Sequence, residues 1–374
     1  MIYPNIYEPG VGGIPTTTPA PLLPTPLSYE DTTVARGGSE SCTLTYAVPF
    51  DEALEWLSNG LMRSIDVYSP DAAWMWGGVC TQVEVRFGQE SRSRSLDGMA
   101  NRVRCKYTTV LGTPGTSSSI SDTESQAIYG IKDAVLSVGT TTATAAANAS
   151  TRYLRQHKNP QSTPSTAVQT GDLGDAALIL HFTGWYYLLD WLVTSITSQT
   201  TTVTTTQLMA LIAAYNAVNA FFSTNAEAIE ASGISETEFV EADTSYKQKI
   251  EKLFEQGTAA GERLAWMVGE NRAFSVATWA GATPDTIDYQ RYLQDGRVYD
   301  ATGGVVEPWE VWPDTMYQVV DLLEPANVAT AQDDTARFYV ERVTRKVDES
   351  GWGVTLEPTE YTGVDAVLAR LGGS

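Results

Sequence analysis

The chain has 374 residues and carries 45 Asp and Glu against 24 Lys and Arg, a formal net charge of −21 with a pI near 4.4. That balance argues against nucleic acid as the main partner, because phosphate contacts need positive charge at the interface. Hydrophobic residues at 43%, with 10% aromatic, exclude wholesale disorder, and the length predicts two or three domains.

No apolar run reaches the ~18 residues of a transmembrane helix, so no membrane insertion is expected. No charged segment followed by an apolar core marks a signal peptide. Cys42, Cys80 and Cys105 are odd in number and form no CxxC pair. They read as small buried hydrophobes made in a reducing cytoplasm, not as disulfides or a zinc site.

Residues 1–29 hold seven of the 17 prolines and predict an extended, polyproline-like arm rather than a helix or central strand. Its Ile2, Tyr3, Ile6, Tyr7, Leu22 and Leu23 favour an arm laid across a neighbouring subunit. Residues 30–112 read as a first β domain with one helix. A strand at 42–48 leads to a helix over 51–59, with Ala53, Leu54, Trp56 and Leu57 as its buried stripe. A strand at 64–68 follows. The densest strand signal is 72–110. Val79, Thr81, Val83, Val85 and Phe87 alternate with Cys80, Gln82, Glu84 and Arg86. After Gly88 the chain turns, and Val103, Cys105 and Tyr107 then alternate with Arg102, Arg104 and Lys106. This predicts a hairpin whose second strand has one apolar and one basic face. Six of the 24 Lys and Arg fall between Arg86 and Lys106, so Arg102, Arg104 and Lys106 are candidate subunit-docking residues for an acidic neighbour.

Residues 113–170 form a helical connection. Ser121 and Glu124 have capping-box spacing, and helical periodicity runs through Ile128, Ile131 and Val135 to a stop at Gly139. A second, Ala-rich helix spans 142–156, anchored by Tyr153 and Leu154. Residues 171–261 combine a short β segment with a helical insert: a strand at 178–182, an apolar segment at 185–193 that resembles a buried strand but reads as either strand or helix, then a helix opening at Thr204 with Leu208, Leu211, Ile212, Tyr215, Val218 and Phe222 on one face, then a helix at 246–254 stopped by Gly257. From 262 to 374 the pattern is a second β domain. A hairpin at 264–279 turns through Gly269–Arg272. Tight turns are expected at Asp295–Gly296 and Gly303–Gly304. Strands are expected at 316–322, 338–347 and 352–356, and a short helix at 364–371. The fold class is therefore α+β, with two β-rich regions of sandwich or barrel type joined by helical segments and a helical insert.

No HExxH, GxSxG, GxxxxGK[ST] or GxGxxG occurs, and His157 and His181 read as a helix-terminal cation and a hydrogen-bonded strand residue. Glu307 and Glu310, beside Trp309 and Trp312, have the composition of a glycosidase pair. The simpler reading is a strand with Trp309 and Val311 on one side. Asp333 and Asp334, or Asp348 and Glu349, lack the spaced ligands of a calcium loop. No catalytic residue, metal or cofactor is expected.

The runs SLDGMANRVRCKYTT and DTESQAIYGIKDAVLSVG, followed by RYL, resemble the first half of the tail-tip hub proteins of tailed bacteriophages. IEKLFEQGTAAGERLAWMVGENRAFSV, EPWEVWPDTMYQVVDLLEP and ARFYVERVTRKVDESGWGVTLEPTEY resemble the second half. The likeness spans most of residues 30–370; the Pro-rich arm lies outside it. It implies two domains related to the tail-tube fold and a homotrimeric, pseudo-sixfold ring. The implied partners are the tail tube or a distal tail protein, tip or fibre proteins and the tape measure protein, with genome DNA passing through the lumen. The place is the tail tip of a virion assembled in the host cytoplasm. A hexameric distal-tail adaptor, and a glycan-binding or glycan-degrading tail component, are the competing expectations.

Overall fold

The computed structural model describes residues 2–88, 90–163, 175–194, 202–224, 228–229, 235–236, 243–255, 257–259, 264–278, 285–288, 298–299, 304–313, 316–320 and 337–358. The first elements are β1 (Tyr3–Pro9), β2 (Pro15–Pro19), β3 (Ser28–Val34), β4 (Arg36–Pro49), α1 (Phe50–Asn59), β5 (Ser64–Tyr68), β6 (Trp74–Phe87) and β7 (Glu90–Ser95). The predicted arm folds back on its own chain. β1 pairs antiparallel with β5, Tyr3 opposite Tyr68 and Tyr7 opposite Ser64, and β2 pairs with β1. The prolines are tolerated because the ribbon forms the margin of the sheet, with Pro9 opposite Pro15 where the ribbon turns.

A second small sheet follows, built from β8 (Arg102–Thr108), β9 (Pro114–Thr116), β10 (Ile120–Ser121) and β11 (Asp133–Thr140), with helices α2 (Thr123–Tyr129) and α3 (Ala143–His157). β8 is its centre, antiparallel to β9 and β10 and parallel to β11. The hairpin partner of β6 is therefore β7, in register from Gln82–Ser95 to Phe87–Glu90, and not β8 as the alternation predicts. β7 reads ESRSRS and escapes hydrophobic periodicity because it has no apolar face. α2 is capped by Asp122, whose Oδ1 accepts from Ser125 N at 2.9 Å, one residue beyond the predicted cap. It stops at Gly130, φ 72°, where an L side chain would be strained. The residues expected to continue it to Gly139 form β11 instead. α3 starts where predicted, with Thr142 Oγ1 accepting from Ala145 N at 3.2 Å. It packs Leu154 against Ala100 and Val103.

The core lies where β12 (Gln161–Thr163) and β13 (Asp175–Gly184) return the chain to the first sheet. β13 inserts between β4 and β6, antiparallel to both. Leu178 stands between Tyr46 and Val85, Leu180 between Leu44 and Val83, and Phe182 between Cys42 and Cys80, all of them buried. Each such side chain contributes ~1.5–3 kcal/mol of burial. A bulge breaks the alternation of β6: His181 faces Gln82 and Phe182 faces Cys80, leaving Thr81 extra. Val79 and Cys80 are thus both buried, where strict alternation predicts opposite faces. α1 closes this face with Ala53 and Trp56 buried, and Phe50 meets Phe87 edge-on at 4.6 Å.

Trp185–Trp191 is a 3₁₀ helix, the helical of the two readings its sequence leaves open. Five of its seven side chains are buried, so no period distinguishes the alternatives. α4 (Thr204–Asn216) and α5 (Tyr246–Glu255) cover it, and Tyr215 Oη donates to Leu188 O at 2.6 Å. The predicted hairpin forms from Leu264–Val268 and Phe274–Thr278, with Arg272 at φ 58° in its turn. The EPWEVW stretch is a turn at 307–310 rather than a strand, closed by Glu310 N donating to Glu307 O at 2.9 Å. The predicted turn at Asp295–Gly296 and the helix at 364–371 lie outside the described residues, and so does Gly303. The sheet crosses the boundaries that composition suggests. Leu264–Val268 pairs parallel with β4 through Trp266 and Met267. Arg337–Asp348 lies between β3 and Gly351–Pro358. The architecture is strand-rich α+β, built around large, mainly antiparallel sheets.

Candidate functional site

The basic face predicted from sequence meets its acidic neighbours within the chain. Arg102 Nη2 donates to Asp133 Oδ2 at 2.8 Å, a pairing that raises the guanidinium pKa. Asp133 is in register with Arg102 across the β8–β11 ladder and also accepts from Val193 N at 3.0 Å. Arg104 pairs with Asp243, and Lys106 Nζ lies 2.7 Å from the second oxygen of the same carboxylate. Asp243 holds φ 64°, an αL residue that carries strain. Arg104 and Lys106 thus clamp the small sheet to the segment that enters α5, while Arg102 ties β8 to β11 within the sheet. Two carboxylates against three cations leave little net charge on this face for steering another molecule.

A second constellation escapes sequence reading: a fully buried ion pair where the N-terminal and C-terminal β regions meet. Arg345 and Asp31 have no exposed side-chain surface. Arg345 donates to Asp31 Oδ1 from Nε at 3.1 Å and from Nη2 at 3.0 Å, and from Nη2 to Thr33 Oγ1 at 2.7 Å. Tyr29 Oη also donates to Asp31. Burial outweighs these donors and raises the Asp31 pKa. The guanidinium lies 5.1 Å over the Trp312 ring, and its Nη1 has no acceptor among the described residues. Trp312 in turn stacks on Trp74 at 6.1 Å.

Between the N-terminal ribbon and the 269–272 turn lies a cleft of about 580 Å³. Tyr7, Asp66 and Tyr68 enter it from β1 and β5, Trp185 from the 3₁₀ helix, and Glu270 and Arg272 from the turn. Tyr68 Oη donates to Glu270 Oε1 at 2.6 Å, and Trp74 Nε1 donates to Asp66 Oδ1 at 3.2 Å. Burial pushes the Asp66 carboxyl up to about 6. Burial, reinforced by the bond to Glu270, raises Tyr68. Arg272 sits 5.9 Å over the Trp185 ring. Trp185 is 3% exposed, and its indole N–H has no acceptor among the described residues.

The remaining sequence candidates do not converge. Glu310 spends a carboxylate oxygen on the Glu307 backbone N–H at 2.8 Å, and Trp309 Nε1 donates to Asp71 Oδ2 at 3.0 Å. His157 stacks on Tyr153 at 3.8 Å. Burial lowers His181, whose Nδ1 is 3.3 Å from Thr43 Oγ1. Asp348 caps its own turn through Ser350 N at 2.8 Å. Asp333 and Asp334 lie outside the described residues. Among the described residues no three His, Cys, Asp or Glu side chains group as metal ligands, and no helix is long and apolar enough to cross a membrane.

The described residues form a strand-rich α+β fold with a basic face largely paired within the chain, a buried ionic joint and a polar, aromatic-walled cleft. Among solved structures, it is similar to the tail protein from Neisseria meningitidis MC58, with a TM-score of 0.45, 9% identity, and 96% of this chain and 97% of that chain covered. It is also similar to the 43 kDa tail protein of prophage MuSo2 from Shewanella oneidensis, with a TM-score of 0.42, 7% identity, and 89% and 92% coverage. No protein-family model matches the sequence, and no curated protein matches it.

Proposed function

We propose that this chain is a structural protein of a phage tail, the hub at the tail tip, which self-assembles into a threefold ring joining the tail tube to tip proteins. The observation that carries the reading is the strand Arg337–Asp348, seated on β3 with Arg345 buried against Asp31. It fuses the two β-rich regions into one sheet. A protomer that offers two β surfaces to a sixfold partner must hold them at a fixed relation, and a shared sheet does so. The word-like sequence runs resembling tail-tip hubs fall in both regions that this strand joins. The acidic excess suits a lumen that DNA slides through, since a basic wall would hold phosphates. The tail tube, tip proteins and tape measure protein are the partners in this reading, and the chain acts by docking, without catalysis.

The test is particle mass by light scattering, alone and with the tail tube protein. The expected result is three copies of the 40.6 kDa chain, alone or on the tube. A stable hexamer, or a chain that stays monomeric with the tube present, refutes it.

A further inference from the structure

We propose that the cleft between the N-terminal ribbon and the 269–272 turn binds a neutral saccharide. The volume of about 580 Å³ lies within the ~300–1,000 Å³ of ligand sites. Its walls offer what a pyranose ring needs. Tyr7 and Tyr68 supply aromatic surface for the C–H face of a sugar. Asp66 and Glu270 accept from hydroxyls, and Arg272 donates to them. Other ligand classes fit less well. The two carboxylates repel phosphates and acidic sugars. A divalent cation finds only two carboxylates, and Arg272 opposes it. An apolar molecule would leave these charges desolvated.

A second observation points the same way. Trp185 is 97% buried by its 3% exposure, yet its N–H lacks an acceptor among the described residues, an arrangement that costs ~1–3 kcal/mol when left unmet. Gly77 lies beside both Asp66 and Trp185. A Cβ there would stand 3.0 Å from Asp66 Oδ1 and 3.3 Å from Trp185 Nε1. Without one, the acceptor and the unmet donor face the same small space. This site does not depend on the ring described above, whose particle mass is read separately.

The experiment is calorimetric titration of the full-length protein with the trimer of N-acetylglucosamine and with maltotriose. We expect one of them to bind at one site per chain. Asp66→Asn and Glu270→Gln, near-isosteric and checked for unchanged circular dichroism, should each weaken binding about tenfold or more, the cost of losing a charged acceptor. No binding of either sugar at about 20 mM, a concentration well above a millimolar dissociation constant, overturns the assignment. So does binding that both variants leave intact. Binding of N-acetyl-lysine amide in place of the sugars, lost in the same variants, also overturns it and assigns the cleft to a basic side chain of a partner protein.

Discussion

Replacing Arg345 with Met tests the joint between the two β regions directly. Met keeps the length of the side chain but removes the charge. Asp31, with no exposed side-chain surface, then loses its donors at 3.1 and 3.0 Å and keeps Tyr29 Oη and Thr33 Oγ1. Breaking one side of a buried ion pair costs ~3–5 kcal/mol, because the remaining charge stays desolvated. The carboxyl already lies above its ordinary pKa through burial, and without Arg345 it rises further. A raised carboxyl pKa means the folded chain holds its proton more tightly than the unfolded one. The penalty is therefore smallest below ~pH 4, the unfolded value, grows as pH rises from there to the folded value, and is constant above it. Asp31→Asn combined with Arg345→Met removes both charges and should lie within ~1.5 kcal/mol of the parent protein. Guanidinium unfolding followed by tryptophan fluorescence at pH 5 and pH 8 gives all four corners of the cycle. A single variant costing under ~1 kcal/mol, or a double variant no more stable than the single, would refute the reasoning.

Two further outcomes follow from the geometry. Asp66 is held at about 6, above the ~3.9 of an unfolded Asp, so its ionisation subtracts ~3 kcal/mol above pH 6 and nothing below pH 4. Asp66→Asn should be neutral at pH 3.5 and gain stability progressively to pH 7; a difference that stays flat across the range counts against the burial argument. At Gly184 an added Cβ would stand 1.7 Å from Ser39 O, backbone that cannot yield unless β4 and β13 part. Gly184→Ala should lose ~3 kcal/mol or more, and a melting temperature equal to the parent's would show the approach to be looser than described.

The sequence makes local rules visible and hides what long separation creates. The apolar run 178–182 and the Ala-rich segment 142–156 with its Tyr153 and Leu154 anchors predict β13 and α3 because each signal is local. The polar strand β7 escapes because it lacks an apolar face, and 185–191 stays ambiguous between strand and helix because it has no polar one. Gly130 and Gly139 are both positive-φ glycines; only the tertiary fold decides that the first ends α2. The basic residues Arg102, Arg104 and Lys106 are legible, but Asp243 lies 139 residues from Arg104, and nothing in either segment marks the pairing. The cleft is equally hidden. Tyr68 and Glu270 are 202 residues apart and share no period.

The strand that completes the main sheet also fixes when the sheet can exist. Asp31 and Arg345 are 314 positions apart. A ribosome adding ~5–20 residues per second reaches Arg345 roughly 15–60 s after Asp31. Throughout that interval β3 offers nascent chains an unpaired edge bearing a carboxylate that has no counter-ion. Synthesis of this protein therefore includes a vulnerable period set by chain order, during which premature termination leaves an adhesive strand rather than a smaller folded unit.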